Sequence, residues 1–264
     1  MALNFGKLNI SFIISVYWQK RNFHHKFPRD MLECRKNIFE LKIQKFRRCV
    51  MKIEKYISLI EKELLPQIHL STNRPFDPII VNNRSNSWKT IGSGNYAGVF
   101  SHDSYPERVV KVYGRSPEEL KKEIEVYKTL GDHGAFSSLY EHGETYLVLK
   151  KLDGITLFNA VVNGIQIPES VIEDIDQGLE YARSVGLNPF DVHGKNVVMF
   201  EGKGYIVDVS DFYKEGYCRK WDDLKRAYYK IYKPFLYKYH PSIPFYIVDG
   251  IRKGYRVYRK VKKK

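Results

Sequence analysis

The run Gly92-Ser93-Gly94-Asn95-Tyr96-Ala97-Gly98-Val99 limits the fold of this chain more than any other feature. Missing side chains there let backbone N–H groups approach phosphate oxygens, so the turn is a candidate anion cradle. A plain hairpin turn would use the same glycines, and the surroundings therefore carry the argument. A dinucleotide-binding unit needs a helix directly after the glycines and an acid about 20 residues on. Here a strand-like run follows, and at roughly that distance stands Lys111, between Val110 and Val112. A lysine alternating with β-branched residues on a strand leaves one face of the sheet and can point under the turn at phosphates. The chain has no G-x(4)-G-K-(S/T) pattern, which excludes a Walker A loop.

Further along, Ser116-Pro117-Glu118-Glu119 opens a helix, with Ser116 expected as its N-cap. The stripe Leu120, Ile124, Tyr127, Leu130 places Glu123 at the border of that helix's buried side, where it is expected to pair with Lys111. Asp191-Val192-His193-Gly194-Lys195-Asn196 then sets a carboxylate and a carboxamide five residues apart in a loop, and Asp208 follows at the end of the next strand pair. Asn196 and Asp208 are oxygen ligands of the kind Mg²⁺ takes, a hard cation held by few protein groups together with substrate phosphates. Asp191 would orient the attacking hydroxyl. Each residue singly suits a turn; the joint order glycine loop, Lys, Glu, Asp-x(4)-Asn, Asp is what singles them out.

In that order and spacing the chain, over Trp88 to Asp223, resembles the eukaryotic-like serine/threonine protein kinase superfamily in its bacterial-type, minimal form. The resemblance implies an α+β fold of two lobes, a small antiparallel β lobe and a reduced helical lobe, with ATP and Mg²⁺ between them. Ile91 to Val99 (Ile91, Gly92, Ser93, Gly94, Asn95, Tyr96, Ala97, Gly98, Val99) and Lys111 would hold the triphosphate, and adenine would meet the hinge around Lys150 to Leu152. Asp191 becomes the catalytic carboxylate and Asn196 with Asp208 the metal ligands, while Asp222 or Asp223 would brace the catalytic loop. The departures are specific. Pro189-Phe190 replaces the His-Arg pair, His193 stands where a lysine is usual, Asp208-Val209-Ser210 replaces Asp-Phe-Gly, and no Ala-Pro-Glu follows. Without that arginine, control by activation-loop phosphorylation in its usual form is not expected. His193 is a candidate replacement for the missing lysine near the γ-phosphate, and a loop-bracing histidine is the alternative. The expected activity is transfer of the γ-phosphate to a serine or threonine of a protein substrate. A small-molecule kinase and a catalytically silent ATP-binding scaffold remain as alternatives.

Charge assigns the ends a separate character. The formal charge of +14 is concentrated there: residues 1–52 hold 12 Lys/Arg against 3 Asp/Glu, and residues 251–264 hold 8 Lys/Arg and no acid. A near-neutral middle argues against specific nucleic-acid binding by the central domain, and leaves weak contact with an anionic membrane or other polyanion to the termini. Cys34, Cys49 and Cys218 make neither a disulfide framework nor a CxxC pair, which fits a reducing cytoplasm. The apolar stretch from Leu8 to Trp18 falls short of the ~20 residues that span a bilayer. The expected organisation is a basic amphipathic helical extension (1–70, with a helix from Asp30 to Leu65 stopped by Pro66), a linker (71–87, with a short strand at Ile79 to Val81), an ATP-binding lobe (88–152), a helical lobe (153–250, with a helix from Lys220 to Tyr239) and a basic tail (251–264).

Overall fold

A computed structural model describes residues 51–73 and 77–261. The chain divides into two units, residues 1–55 and 56–264. Of the first, residues 51–55 are described and are helical; the architecture that follows belongs to the second. The stretch from Leu8 to Trp18 and most of the helix expected from Asp30 lie outside the described residues. The described end of that helix loosens into a π-helical turn at Ile60–Leu64 and stops in a 3-10 turn, Leu65–Gln67. Pro66 sits in that turn, and without an N–H it cannot continue the helical ladder. Tyr56, Ile60 and Leu64 recur every fourth residue, form one helix face and are fully buried. Tyr56 meets Trp88 at 5.6 Å between ring centroids, and Tyr146 donates its hydroxyl hydrogen to Glu61 at 3.2 Å.

The described residues of 71–87, expected as a linker with a short strand at Ile79 to Val81, help to build the first lobe, and a strand forms there at Ile80–Asn83. Strands β1 (Ile68–Ser71) and β2 (Ile80–Asn83) form an antiparallel hairpin. The Asn, Ser and Arg residues that read as a linker supply side-chain bonds to backbone, as such residues do outside helices. Asn83 Nδ2 donates to the Trp88 carbonyl at 2.8 Å, and Asn83 Oδ1 accepts from the Ser85 N–H at 2.9 Å. The Ile79 N–H reaches the Gly94 carbonyl at 2.8 Å, so this hairpin touches the glycine-rich turn directly.

Five antiparallel strands follow: β3 (Trp88–Ser93), β4 (Ala97–His102), β5 (Arg108–Tyr113), β6 (Leu139–His142) and β7 (Tyr146–Lys150), in the spatial order β3-β4-β5-β7-β6. Helix α1 (Pro117–Leu130) crosses between β5 and β6 and buries Leu120, Glu123, Ile124, Tyr127 and Leu130. Ser116 precedes it differently from expectation. It adopts φ +56°, its hydroxyl makes no capping bond, and its carbonyl accepts from the Glu119 N–H at 2.9 Å.

The second lobe comprises β8 (Ile155–Thr156), α2 (Leu157–Asn163), α3 (Glu169–Ser184), β9 (Val197–Phe200), β10 (Lys203–Ile206), α4 (Lys220–Ala227) and α5 (Phe245–Val261), with β8, β9 and β10 paired antiparallel. Val171, Ile175, Leu179 and Ala182 repeat at helical spacing along α3 and are almost wholly buried. The helix approaches β10 so closely that a Cβ at Gly204 would lie 2.5 Å from the Val171 carbonyl oxygen. The single helix expected from Lys220 to Tyr239 widens at Tyr228–Leu236 into π-helical turns containing Pro234, whose missing N–H removes a regular bond. The basic tail expected at 251–264 is helical as far as Val261. Asp249 anchors that helix by pairing with Arg252 at 2.6 Å and Lys253 at 2.9 Å, one turn on.

The lobes meet around Phe136. It bridges to Ile206, the Ile206 N–H donates to the Ala135 carbonyl at 2.8 Å, and the Phe136 ring stands edge-on to Phe212 at 6.2 Å. The result is the α+β, two-lobe arrangement that the resemblance implies.

Candidate active site

Lys111 and Tyr113 are two apart on β5, so both side chains leave the same face of the sheet. Lys111 Nζ donates to Glu123 Oε1 at 2.8 Å and to Asp208 Oδ1 at 3.2 Å. The Tyr113 hydroxyl donates to the other Glu123 oxygen. Glu123 is 0% exposed, and a carboxylate taken so far from water is tolerated only when both oxygens are bonded and a cation stands close. Burial pushes its carboxyl up to about 7, with Lys111 opposing the rise. Burial pulls the Lys111 ammonium down, but Asp208 and Glu123 outweigh it and hold the group above its ordinary range. Asp208 is held low against its own burial by Lys111 and by the Ser210 N–H, 3.1 Å from Oδ1. A fixed cation thus ties the sheet, helix α1 and the segment after β10 together.

Across the cleft, the loop carrying Asp191 turns sharply, with Asp191 itself in the left-handed region at φ +60°. Asn196 Nδ2 donates to the Asp191 carbonyl at 3.2 Å, and the Asn196 N–H to the His193 carbonyl at 2.8 Å, so the five-residue spacing closes the loop on itself. The Asp191 N–H points at Cys218 Sγ, 3.4 Å away, and Lys220 Nζ bonds Asp191 Oδ1. His193 Nε2 stops 4.0 Å from Asp191 Oδ2, while its Nδ1 accepts from the Lys195 N–H at 3.3 Å. Burial holds this imidazole below its ordinary value, with Asp208 opposing. The cation bonded to Asp191 Oδ1 in this arrangement is Lys220. Asp222 and Asp223, expected to brace this loop, pair elsewhere. Asp222 accepts from Tyr217, and Asp223 meets Arg219, Arg226 and Tyr255.

The glycine-rich turn joins β3 to β4, with Gly92 opposite Val99, Ser93 opposite Gly98 and Ile91 as an unpaired bulge residue. Gly94 closes the turn by donating to the Ala97 carbonyl at 2.9 Å, which leaves Asn95 and Tyr96 at its tip. A Cβ at Gly92 would meet nothing within 4 Å, and one at Gly94 only the Ala97 carbonyl at 4.0 Å. Open space over such a turn fits a phosphate cradle. Lys150 ends β7 with its carbonyl accepting from Ser137 Oγ at 2.7 Å, and Leu152 lies in the segment leading to β8. Among the described residues no cluster of three or more His, Cys, Asp or Glu side chains could hold a metal alone. The amide oxygen of Asn196 and the carboxylate of Asp208 suit a hard cation that is completed by phosphates and water.

The segment from Asp208 to Lys220 is tied at several points that the sequence did not reveal. Tyr213 donates to Glu119 on α1 at 2.6 Å, and Asn188 Nδ2 donates to the carbonyls of Lys214 at 2.6 Å and Gly216 at 2.7 Å. Tyr113 was within reach of sequence reasoning, since it shares the strand alternation of Lys111. Asn188, Cys218 and Lys220 carry no local signal, because each acts on a residue more than 25 positions away.

No protein-family model matches the chain. The fold and site define a two-lobed kinase-like scaffold, and comparison with curated proteins gives the family. A Bacillus subtilis (strain 168) protein, YrzF, provisionally named a serine/threonine-protein kinase, is 32% identical over 164 residues, which cover 61% of this chain and 75% of that protein. Testis-specific serine/threonine-protein kinase 3 of mouse and of human is 28% identical over 143 residues, 47% of this chain and 52% of those proteins. The chain belongs to the protein kinase superfamily.

Proposed function

We propose that the protein is an ATP-dependent phosphotransferase that moves the γ-phosphate to a serine or threonine hydroxyl of a protein substrate. One observation carries the reading: Lys111 bonds both Glu123 and Asp208, the Val207 N–H beside Asp208 donates to the Asn196 carbonyl at 3.0 Å, and Asn196 in turn bonds the Asp191 carbonyl, so five polar residues from separate segments are joined by direct contacts.

Backbone N–H groups of Gly92 to Val99 receive the phosphates of ATP, and Lys111, held in place by Glu123, neutralises part of their charge. Asn196 and Asp208 would hold Mg²⁺, which would supply further positive charge at the phosphate oxygens. Asp191 orients the acceptor hydroxyl and takes its proton as the oxygen bonds to the γ-phosphorus. The bond from that phosphorus to the bridging oxygen breaks, and ADP leaves with the electron pair. Positioning and electrostatics supply most of the acceleration in such a transfer. The segment around Lys150 to Leu152 receives the adenine, and the basic end of α5 makes at most weak contacts with anionic surfaces. A reducing, cytoplasmic setting suits the free thiol of Cys218 beside the catalytic loop.

The acceptor class is tested with γ-labelled Mg-ATP, a generic basic protein and a dialysed low-molecular-weight extract. Acid-stable label recovered as phosphoserine or phosphothreonine is the expected result. Label found only on a small molecule overturns the protein-kinase reading in favour of a metabolite kinase.

A further inference from the structure

An ionised Asp191 must work beside a polyphosphate, and two anions facing each other repel unless a cation stands at the carboxylate. Lys111 cannot fill that place, since its ammonium is committed to Glu123 and Asp208. The imidazole of His193 stops 4.0 Å short. The group that meets Asp191 Oδ1 comes instead from the first residue of α4, Lys220, 29 positions downstream.

The backbone around Lys220 is fixed. Its neighbour Trp221 is buried and donates Nε1–H to Asp176 of α3 at 2.7 Å, and Lys225, one turn on, pairs with the same carboxylate at 2.8 Å. On the other side, Cys218 Sγ receives the Asp191 N–H. One short stretch, 218–220, therefore touches Asp191 at both its backbone and its side chain, and a rigid helix end delivers the contact. A site held by packed elements in this way keeps its geometry without reorganisation during reaction.

We propose that Lys220 is a positioning residue for phosphoryl transfer: its ammonium holds Oδ1 of Asp191 in place and leaves Oδ2 for the acceptor hydroxyl. The cation bonded to the candidate catalytic carboxylate comes from the start of α4. The inference rests on the phosphotransferase reading above. In the reaction Lys220 keeps its proton, and the hydroxyl proton goes to Asp191.

The test measures transfer from γ-labelled Mg-ATP by wild type, Lys220→Met, Lys220→Arg, Asp191→Asn and the double variant Lys220→Met/Asp191→Asn, with thermal melts of each. The methionine variant is expected to lose about 10²-fold in kcat with KM for ATP unchanged, and the arginine variant to recover most of that loss, because a guanidinium keeps charge and donors. In the Asp191→Asn background the Lys220 substitution should cost nothing further, since the two act as one unit. Wild-type kcat in Lys220→Met, an arginine variant as slow as the methionine one, or additive losses in the double variant would each overturn the inference. The last holds even where Lys220→Met melts earlier. If wild type transfers no phosphate at all, the underlying reading fails with it; if wild type is active, Asp191→Asn inactive and Lys220→Met unaffected, only the inference fails.

Discussion

Replacing Lys111 by methionine removes the cation that Glu123 and Asp208 share, and the consequences for stability follow from burial. Glu123 is wholly buried and has Lys111 at 2.8 Å. Breaking such a pair by deleting one partner costs about 3–5 kcal/mol. At about 2–4 °C per kcal/mol for a unit of this size, the variant should melt ~6–20 °C below wild type at pH 8. The sign of the pH dependence is fixed by the carboxyl. In the folded wild type burial lifts Glu123 to about 7, above its ordinary 4.5. The folded state therefore binds a proton that the unfolded state gives up, and stability falls as pH rises from the ordinary value through 7. Without Lys111, which opposes the burial most strongly, the folded carboxyl rises further, with only the Tyr113 hydroxyl left to favour its charged form, so the variant takes up more proton between pH 8 and pH 6 than wild type does. That difference returns about 1.4 kcal/mol to the variant. Melting curves of both proteins at pH 8 and pH 6 check it: the deficit should narrow by ~3–6 °C at the lower pH. A deficit that stays constant, or widens, refutes the assignment of Lys111 and Glu123 as a buried pair.

Other sites give shorter tests. His193→Gln should keep kcat within about tenfold of wild type, less than removal of a catalytic acid or base would cost, and should leave no new break in the pH–rate profile near pH 6.5; a rate profile that loses an acid-side plateau would show that the imidazolium acts. Phe212→Ala empties a fully buried site between the lobes, and urea melts should show a loss of about 3–5 kcal/mol. Gly204→Ala drives a Cβ to 2.5 Å from the Val171 carbonyl, so α3 must shift against β10 at a cost of about 1–3 kcal/mol, read from the same melts.

The parts of this molecule that were legible in the sequence are those with a period or a local grammar. Alternation placed β5, and with it Lys111 on one face, while the stripe on α1 turned Glu123 inward to meet it. The Asp191-x(4)-Asn196 spacing was readable because the loop bonds to itself within five residues. Elements that escaped depend on partners distant in the chain. The hairpin of β1 and β2 resembled a linker because its Asn and Ser content serves both purposes, and only Trp88 and Gly94, supplied by the next strands, make the difference. The part of helix α5 from Ile251 onward looked like a basic tail, since nothing local announces that Tyr255 will reach Asp223. Lys220 is the same case within the site: a surface-type residue in sequence, joined to Asp191 only by the path of the segment between them.

The most direct test of phosphoryl transfer at this site is a single-turnover measurement with γ-labelled Mg-ATP, comparing wild type with Asp191→Asn after ATP binding by both has been verified. Equal nucleotide affinity with transfer slowed by ~10²–10⁴ in the variant is the predicted result. Transfer at the wild-type rate in Asp191→Asn would contradict the account, which gives the acceptor's proton to Asp191 while Asp208 is paired with Lys111.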